Sequence, residues 1–148
     1  MKKNIILTAA LAAAMSMTAC HDEGKEAIPF SQLPETAQAF VTTHFADKQV
    51  AIIYLDREVA DSEYEVTFSD GASADFNKKG EWKEVEDRDA DGVPVAIIPA
   101  AISDYVATHH TGQYVVQIGR DRTRYDVELN STIEMEFDKN GVFVRYDD

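Results

Sequence analysis

Two stretches of this chain say nearly the same thing. Leu33-Pro34-Glu35-Thr36-Ala37-Gln38-Ala39-Phe40-Val41-Thr42-Thr43-His44 is answered by Ile98-Pro99-Ala100-Ala101-Ile102-Ser103-Asp104-Tyr105-Val106-Ala107-Thr108-His109. Further on, Tyr64-Glu65-Val66-Thr67-Phe68 returns as Tyr125-Asp126-Val127-Glu128-Leu129, and Phe76-Asn77-Lys78-Lys79-Gly80-Glu81-Trp82 as Phe137-Asp138-Lys139-Asn140-Gly141-Val142-Phe143. A segment that recurs in this way is a supersecondary unit used twice. The expected fold is therefore α+β: two tandem repeats, each a helix packed on a four-stranded antiparallel β-sheet. Repeat 1 covers about 31–87, a linker 88–95, and repeat 2 about 96–148.

Each unit opens with a short amphipathic helix. Pro34 and Pro99 suit the first helical position, where a missing N–H is harmless. Ala37, Phe40, Val41, His44 and Phe45 then share one face, and Ile102, Tyr105, Val106, His109 and His110 repeat the spacing. The matching histidines invite a metal reading, but no two-ligand motif accompanies them, and histidines packed at the negative end of a helix account for them better.

The strands can be set in register. Tyr125, Val127 and Leu129 alternate with Asp126 and Glu128, while Ile133, Met135 and Phe137 alternate with Glu134 and Glu136. Keeping the apolar sets on one face pairs Glu128 with Glu134 and Asp126 with Glu136 on the other. The same arithmetic puts Thr67 opposite Ser73 and Glu65 opposite Asp75. Like charges so placed repel, by up to about 1 kcal/mol per pair.

In the next hairpins, Asn77-Lys78-Lys79-Gly80 and Asp138-Lys139-Asn140-Gly141 read as four-residue turns with glycine in the left-handed position. That loop length pairs Phe137 with Val142. Val142, Val144 and Tyr146 then point inward, and Phe143 and Arg145 outward, with Arg145 facing Glu134. Trp82 likewise points outward beside Asp75. If Ala51, Ile53 and Leu55 face the helix, Ile52 and Tyr54 join the outer face. An uncovered face bearing Trp82, Phe143, Tyr54 and Ile52 among carboxylates, with Arg145 and Glu134, reads as a protein-binding surface. A one-residue slip would instead put Trp82 in the core.

Residues 1–19 read as an export signal: Lys2 and Lys3, an apolar run from Ile5 to Met17, then small residues up to Cys20. Met17-Thr18-Ala19-Cys20 is similar to a bacterial lipobox, which implies cleavage before Cys20 and lipid on its sulfur. The alternative is an ordinary cleaved signal with a free thiol. Residues 20–30 form the lipidated N-terminus and tether, and His21-Asp22-Glu23-Gly24 resembles the acidic export signal of surface lipoproteins. The expected location is the cell envelope, through a lipid anchor in the outer membrane, either periplasmic or surface-exposed. Without 1–19 the chain keeps 12 basic and 27 acidic residues, a net charge of −15. Such a field disfavours nucleic acid and anionic membrane and favours a basic partner or a cation.

Asp87-Arg88-Asp89-Ala90-Asp91-Gly92 has the spacing that opens an EF-hand loop, but the twelfth position is Ile98 rather than glutamate. Asp87, Asp89 and Asp91 are thus weak calcium candidates, with a linker turn as the simpler reading. No cofactor and no catalytic residue is expected. There is no G-x-S-x-G, phosphate loop or zinc spacing, and opposed carboxylates on an open sheet lack the cleft that glycosidase chemistry needs.

The duplicated helix openings, the Y-x-V-x-(F/L) strands, the F-(N/D)-K-x-G-x-(W/F) hairpins and the junction Val93-Pro94-Val95-Ala96-Ile97-Ile98-Pro99-Ala100-Ala101-Ile102 together resemble the PepSY-like, β-lactamase-inhibitor-like family over about residues 28–148. The resemblance implies a non-catalytic envelope lipoprotein that binds another protein through the exposed sheet face, as an inhibitor or regulator of a secreted enzyme. It carries over the location of that surface only, because this chain has one cysteine and no matching inhibitory loop. The alternative is a binding module for a small molecule, cation or extracellular polymer, for which stacked Trp82 and Tyr54 would also serve.

Overall fold

A computed structural model describes residues 24–57 and 63–147; Cys20, the export signal and His21 to Glu23 lie outside the described residues. The order is β1 (Lys25–Ala27), a 3-10 turn (Phe30–Gln32), α1 (Glu35–His44), β2 (Val50–Asp56), β3 (Glu63–Phe68), β4 (Ser73–Phe76), β5 (Trp82–Glu86), α2 (Ala100–His109), β6 (Val115–Arg120), β7 (Arg124–Leu129), β8 (Glu134–Asp138) and β9 (Phe143–Asp147).

The expectation of two separate helix-on-four-strand repeats is corrected. Among the described residues the strands form one antiparallel nine-stranded sheet in sequence order, mostly β with two helices. The join is β5 on β6, where Glu84, Val85 and Glu86 face Gly119, Ile118 and Gln117. Two small sheets would each expose an edge of unpaired N–H and C=O groups there, and pairing them removes both edges. β1, Lys25-Glu26-Ala27, adds to β2 without any hydrophobic alternation to announce it.

One row of paired residues crosses the sheet on its helix side: Ile53, Val66, Ala74, Val85, Ile118, Val127 and Met135, opposite one another in turn. All are buried, and with Phe68, Phe76, Leu129 and Phe137 they form one continuous core. α1 closes it through Ala37, Val41 and Phe45, and α2 through Ile102 and Val106. Pro34 and Pro99 stand one position earlier than expected, as caps with ψ of 143° and 137°, their carbonyls accepting from Gln38 and Ser103.

The hairpin turns tuck beneath the helix starts. Gly80 (φ 79°) lies so close that a Cβ there would sit 2.8 Å from Pro34 Cβ and 2.9 Å from the Ala37 nitrogen. Only glycine satisfies both the left-handed backbone and the contact.

Candidate functional site: the open acidic face

The turn before β9 decides which side chains reach the open face. Asp138 N donates to Val142 O, and the Asp138 carboxylate accepts from the Asn140 and Val142 amides at 2.8 and 2.9 Å. Asn77 does the same with Lys79 and Glu81 at 2.9 and 3.1 Å. Asp138 and Asn77 are therefore the last paired residues of their hairpins, and the connection is one residue shorter than the four-residue turn expected. That single residue exchanges the faces of the side chains just past each turn. Phe143 pairs with Phe137 and Trp82 with Phe76, both on the helix side.

The outward placement of Trp82 and Phe143 is thereby corrected. Trp82 packs near Phe40 and carries the Arg120 guanidinium 4.0 Å above its ring, while Arg120 Nε donates to the Trp82 carbonyl at 2.8 Å. Phe143 stacks on Tyr105 at 4.7 Å and meets Phe137 edge-on. A bulge one residue later in each strand restores the alternation. Glu84 and Arg145 thus face outward after all, Arg145 opposite Glu136 rather than Glu134, and Glu134 opposite Asp147. Val142 and Val144, expected inside, are exposed, while Tyr146 lies on the helix side at the rim. Ile52 and Tyr54 are outward as expected, opposite Thr67 and Glu65.

The paired carboxylates stand where the register puts them: Glu65 on Asp75, Asp126 on Glu136, Glu128 on Glu134. Continuing through Asp75 on Glu84, Glu84 on Gly119 and Gly119 on Asp126, they form a row across the sheet: Tyr54, Glu65, Asp75, Glu84, Gly119, Asp126, Glu136, Arg145. This row lies next to the core row on the opposite face, so strict alternation makes one oily and the other acidic.

Cations stand unevenly among these acids. Lys25 reaches Glu65 at 2.8 Å, and Lys83 reaches Glu63. Arg124 and Arg145 converge on Glu136 at 3.1 and 2.8 Å, and Arg88 takes Glu128 at 2.8 Å. Asp75 has no ion pair among the described residues. Desolvation, then Glu65, Glu84 and Glu63, push its carboxyl up to about 7. Burial also raises Glu84, with Glu86 adding to it, and burial raises Asp126. Two shallow recesses flank Asp75, one lined by Lys25, Tyr54, Asp56, Glu63 and Glu65, the other by Glu63, Lys83, Glu84, Gly119, Arg120, Asp121 and Asp126. Neither is a cleft in which substrate could be enclosed.

The Asp87–Asp91 segment is organised by a lysine. Lys48 Nζ lies 2.9 Å from Asp87, 2.5 Å from Asp70 and 3.1 Å from Asp89, and Asp87 is only 3% exposed. Burial by itself would lower the Lys48 ammonium, but these hydrogen bonds hold it well above the ordinary lysine range. An ammonium thus sits where a cation would have bridged Asp87 and Asp89. A different trio, Asp126, Glu136 and Asp147, brings carboxylate oxygens within 4.8 Å of one another. Sequence reading missed it because it depends on the β9 bulge. His44 and His109 pack against Phe40 and Tyr105, at 4.6 and 4.3 Å between ring centres, as helix-end histidines.

The fold is shared with known proteins. The family model described as "Putative beta-lactamase-inhibitor-like, PepSY-like" matches residues 16–61 and 62–145, and the chain belongs to this family. Among solved structures, a "putative calcium-regulated periplasmic protein" from Bacteroides thetaiotaomicron is 38% identical, with a TM-score of 0.80 over 84% of this chain and 97% of that one. A periplasmic protein from Bacteroides vulgatus is 37% identical, with a TM-score of 0.79 over 88% of this chain and all of its own. A second from that organism, described as of unknown function, is 33% identical with a TM-score of 0.78, over 84% of this chain. Among curated proteins, none matches the chain.

Proposed function

We propose that this is a non-catalytic binding protein of the periplasm, tethered by lipid at Cys20, that holds a basic segment of another protein on its open sheet face and so restrains a secreted enzyme. The observation that carries the reading is the Glu65–Asp75–Glu84 row, which is acidic and partly desolvated, with no ion pair to Asp75 among the described residues. Ile52 and Tyr54 beside it supply the apolar contact that Trp82 and Phe143 do not. The family's inhibitor-like description and its periplasmic relatives support the setting.

The test is calorimetric titration with an oligolysine peptide and an oligoglutamate control. Binding of oligolysine alone, weakened at high salt and in an Asp75→Asn/Glu84→Gln variant, is expected. Equal affinity of variant and wild type would refute the site.

Calcium is a second reading, favoured by the description of the 38% identical relative. Asp126, Glu136 and Asp147 bring three carboxylates together for it, and calcium there would displace Arg124 and Arg145, as it would displace Lys48 from Asp87 and Asp89. A rise in melting temperature with millimolar calcium that disappears in Asp126→Asn would support it. Indifference to calcium and EDTA would end it.

A further inference from the structure

The two edges of the sheet are built differently. β1 is short, with Lys25 and Glu26 among its three residues, and Arg57 bridges Glu26 at 3.0 Å across the rim. Such an edge resists further pairing. β9 is the opposite edge, and Val142, Val144 and Tyr146 at that rim are 60%, 52% and 50% exposed. Only Ile52 and Val95 are comparable among the described residues.

On the helix side of this edge Tyr146 forms a shelf. Its hydroxyl lies 3.3 Å from His110 Nε2 and 3.5 Å from the Tyr105 hydroxyl, and its ring is 4.9 Å from Phe143. On the open side Arg145 and Asp147 pair with each other at 3.0 Å, while Glu134 stands opposite Asp147. The rim is thus aromatic on the helix side, while the open side carries Glu134, Glu136 and Asp147 with Arg124 and Arg145 among them.

We propose that β9 accepts an extended segment of a partner protein as a tenth strand, one whose side chains alternate between apolar and basic. Backbone pairing to β9 provides the affinity common to strand addition. The alternation provides the specificity: apolar residues lie along Tyr146 and His110, and lysines or arginines lie along Asp147 and Glu134. A second copy of this chain is a poor occupant, since each copy carries a formal charge of −13 even with its export signal and repels the other. The bulge at the start of β9 confines pairing to the stretch ending at Asp147. This surface is separate from the Glu65–Asp75–Glu84 row and does not depend on it.

The experiment is an NMR titration of the protein with a synthetic peptide of alternating valine and lysine. One control is the same peptide N-methylated along one edge, which keeps its charge but cannot pair. Another alternates valine and glutamate. Amide shifts and slowed hydrogen exchange over 142–147 with the first peptide only are expected, and Asp147→Lys should weaken binding about tenfold. Shifts confined to Glu65, Asp75 and Glu84 would overturn the β9 proposal while leaving the open-face reading standing. Equal binding of the N-methylated peptide, or a dimer by native mass spectrometry that β9 changes abolish, would also overturn it. Asp147 and Tyr146 are at the rim, and unchanged circular dichroism of Asp147→Lys and Tyr146→Ser checks that both variants are folded.

Discussion

The carboxylates of β3 to β5 and those of β7 to β9 stand in the same register but in different company. Glu136 is held by two arginines, Arg124 and Arg145, whereas Asp75 sits between Glu65 and Glu84 without an ion pair among the described residues and is pushed up to about 7. The loops differ in the same way. Lys48 ties Asp70 to Asp87 and Asp89, while the side chain of the corresponding Gln113 accepts from the Ser131 hydroxyl. Register dictates which acids are neighbours. Burial, with the neighbouring carboxylates adding to it, then raises Asp75.

The largest expected effect tests what the two halves share, an aromatic under each helix. Trp82→Ala with Phe143→Ala should destabilise by about 4 kcal/mol in urea unfolding, because both rings pack on the core. A loss below about 1 kcal/mol would return these rings to the open face.

Next, Lys48→Met should cost about 3 kcal/mol, since it strands the buried Asp87, whereas Gln113→Met should change stability by less than about 0.5 kcal/mol. Similar values for the two would erase the contrast between the loops.

Asp75→Asn should stabilise by about 2 kcal/mol at pH 8. The folded-state value lies above the ordinary 3.8, so the folded chain holds this proton more tightly than the unfolded one. The wild type is therefore favoured at low pH and loses stability as pH rises from about 4 through about 7. Asparagine should flatten that slope, leaving the smaller parts of Glu84 and Asp126, which are raised as well. Parallel pH profiles for the two proteins would contradict the assignment.

The smallest effect concerns the gap between the regions. Gly119 separates Glu84 from Asp126, and a Cβ there would find its nearest neighbour, Glu84 Oε2, at an ordinary 3.7 Å. Gly119→Lys should stabilise by about 1 kcal/mol at pH 8, from reduced chain entropy and two carboxylates beside the ammonium, with less gain at pH 5. Destabilisation would mean that the open face needs its central gap.

Much of the register is legible in the sequence. Alternation in Tyr125–Leu129 and Ile133–Phe137 sets Asp126 opposite Glu136, and the Asn77 and Asp138 turns are recognisable from their glycines. Trp82 and Phe143 are misplaced by that reading because the two carboxamide and carboxylate turns shorten the loop by one residue, and with a period of two a single residue exchanges faces. The compensating bulge, which turns Arg145 and Glu84 outward again, leaves no mark in hydropathy. The Asp87–Asp91 motif looks like half of a calcium loop because Lys48, from the turn after α1, is invisible at that distance in sequence.

From its sequence alone the chain determined the elements whose cause is local: two amphipathic helices, hairpins closed by glycine, and strands with one apolar and one acidic side. Only the tertiary structure decided that β5 would pair with β6 to make one sheet, that Lys48 would fill the aspartate cluster, and that two arginines would converge on Glu136 while Asp75 has no ion pair among the described residues. Periodicity depends on neighbours two to four residues apart, whereas edge pairing, desolvation and ion pairing depend on groups that meet only when the chain has closed on itself.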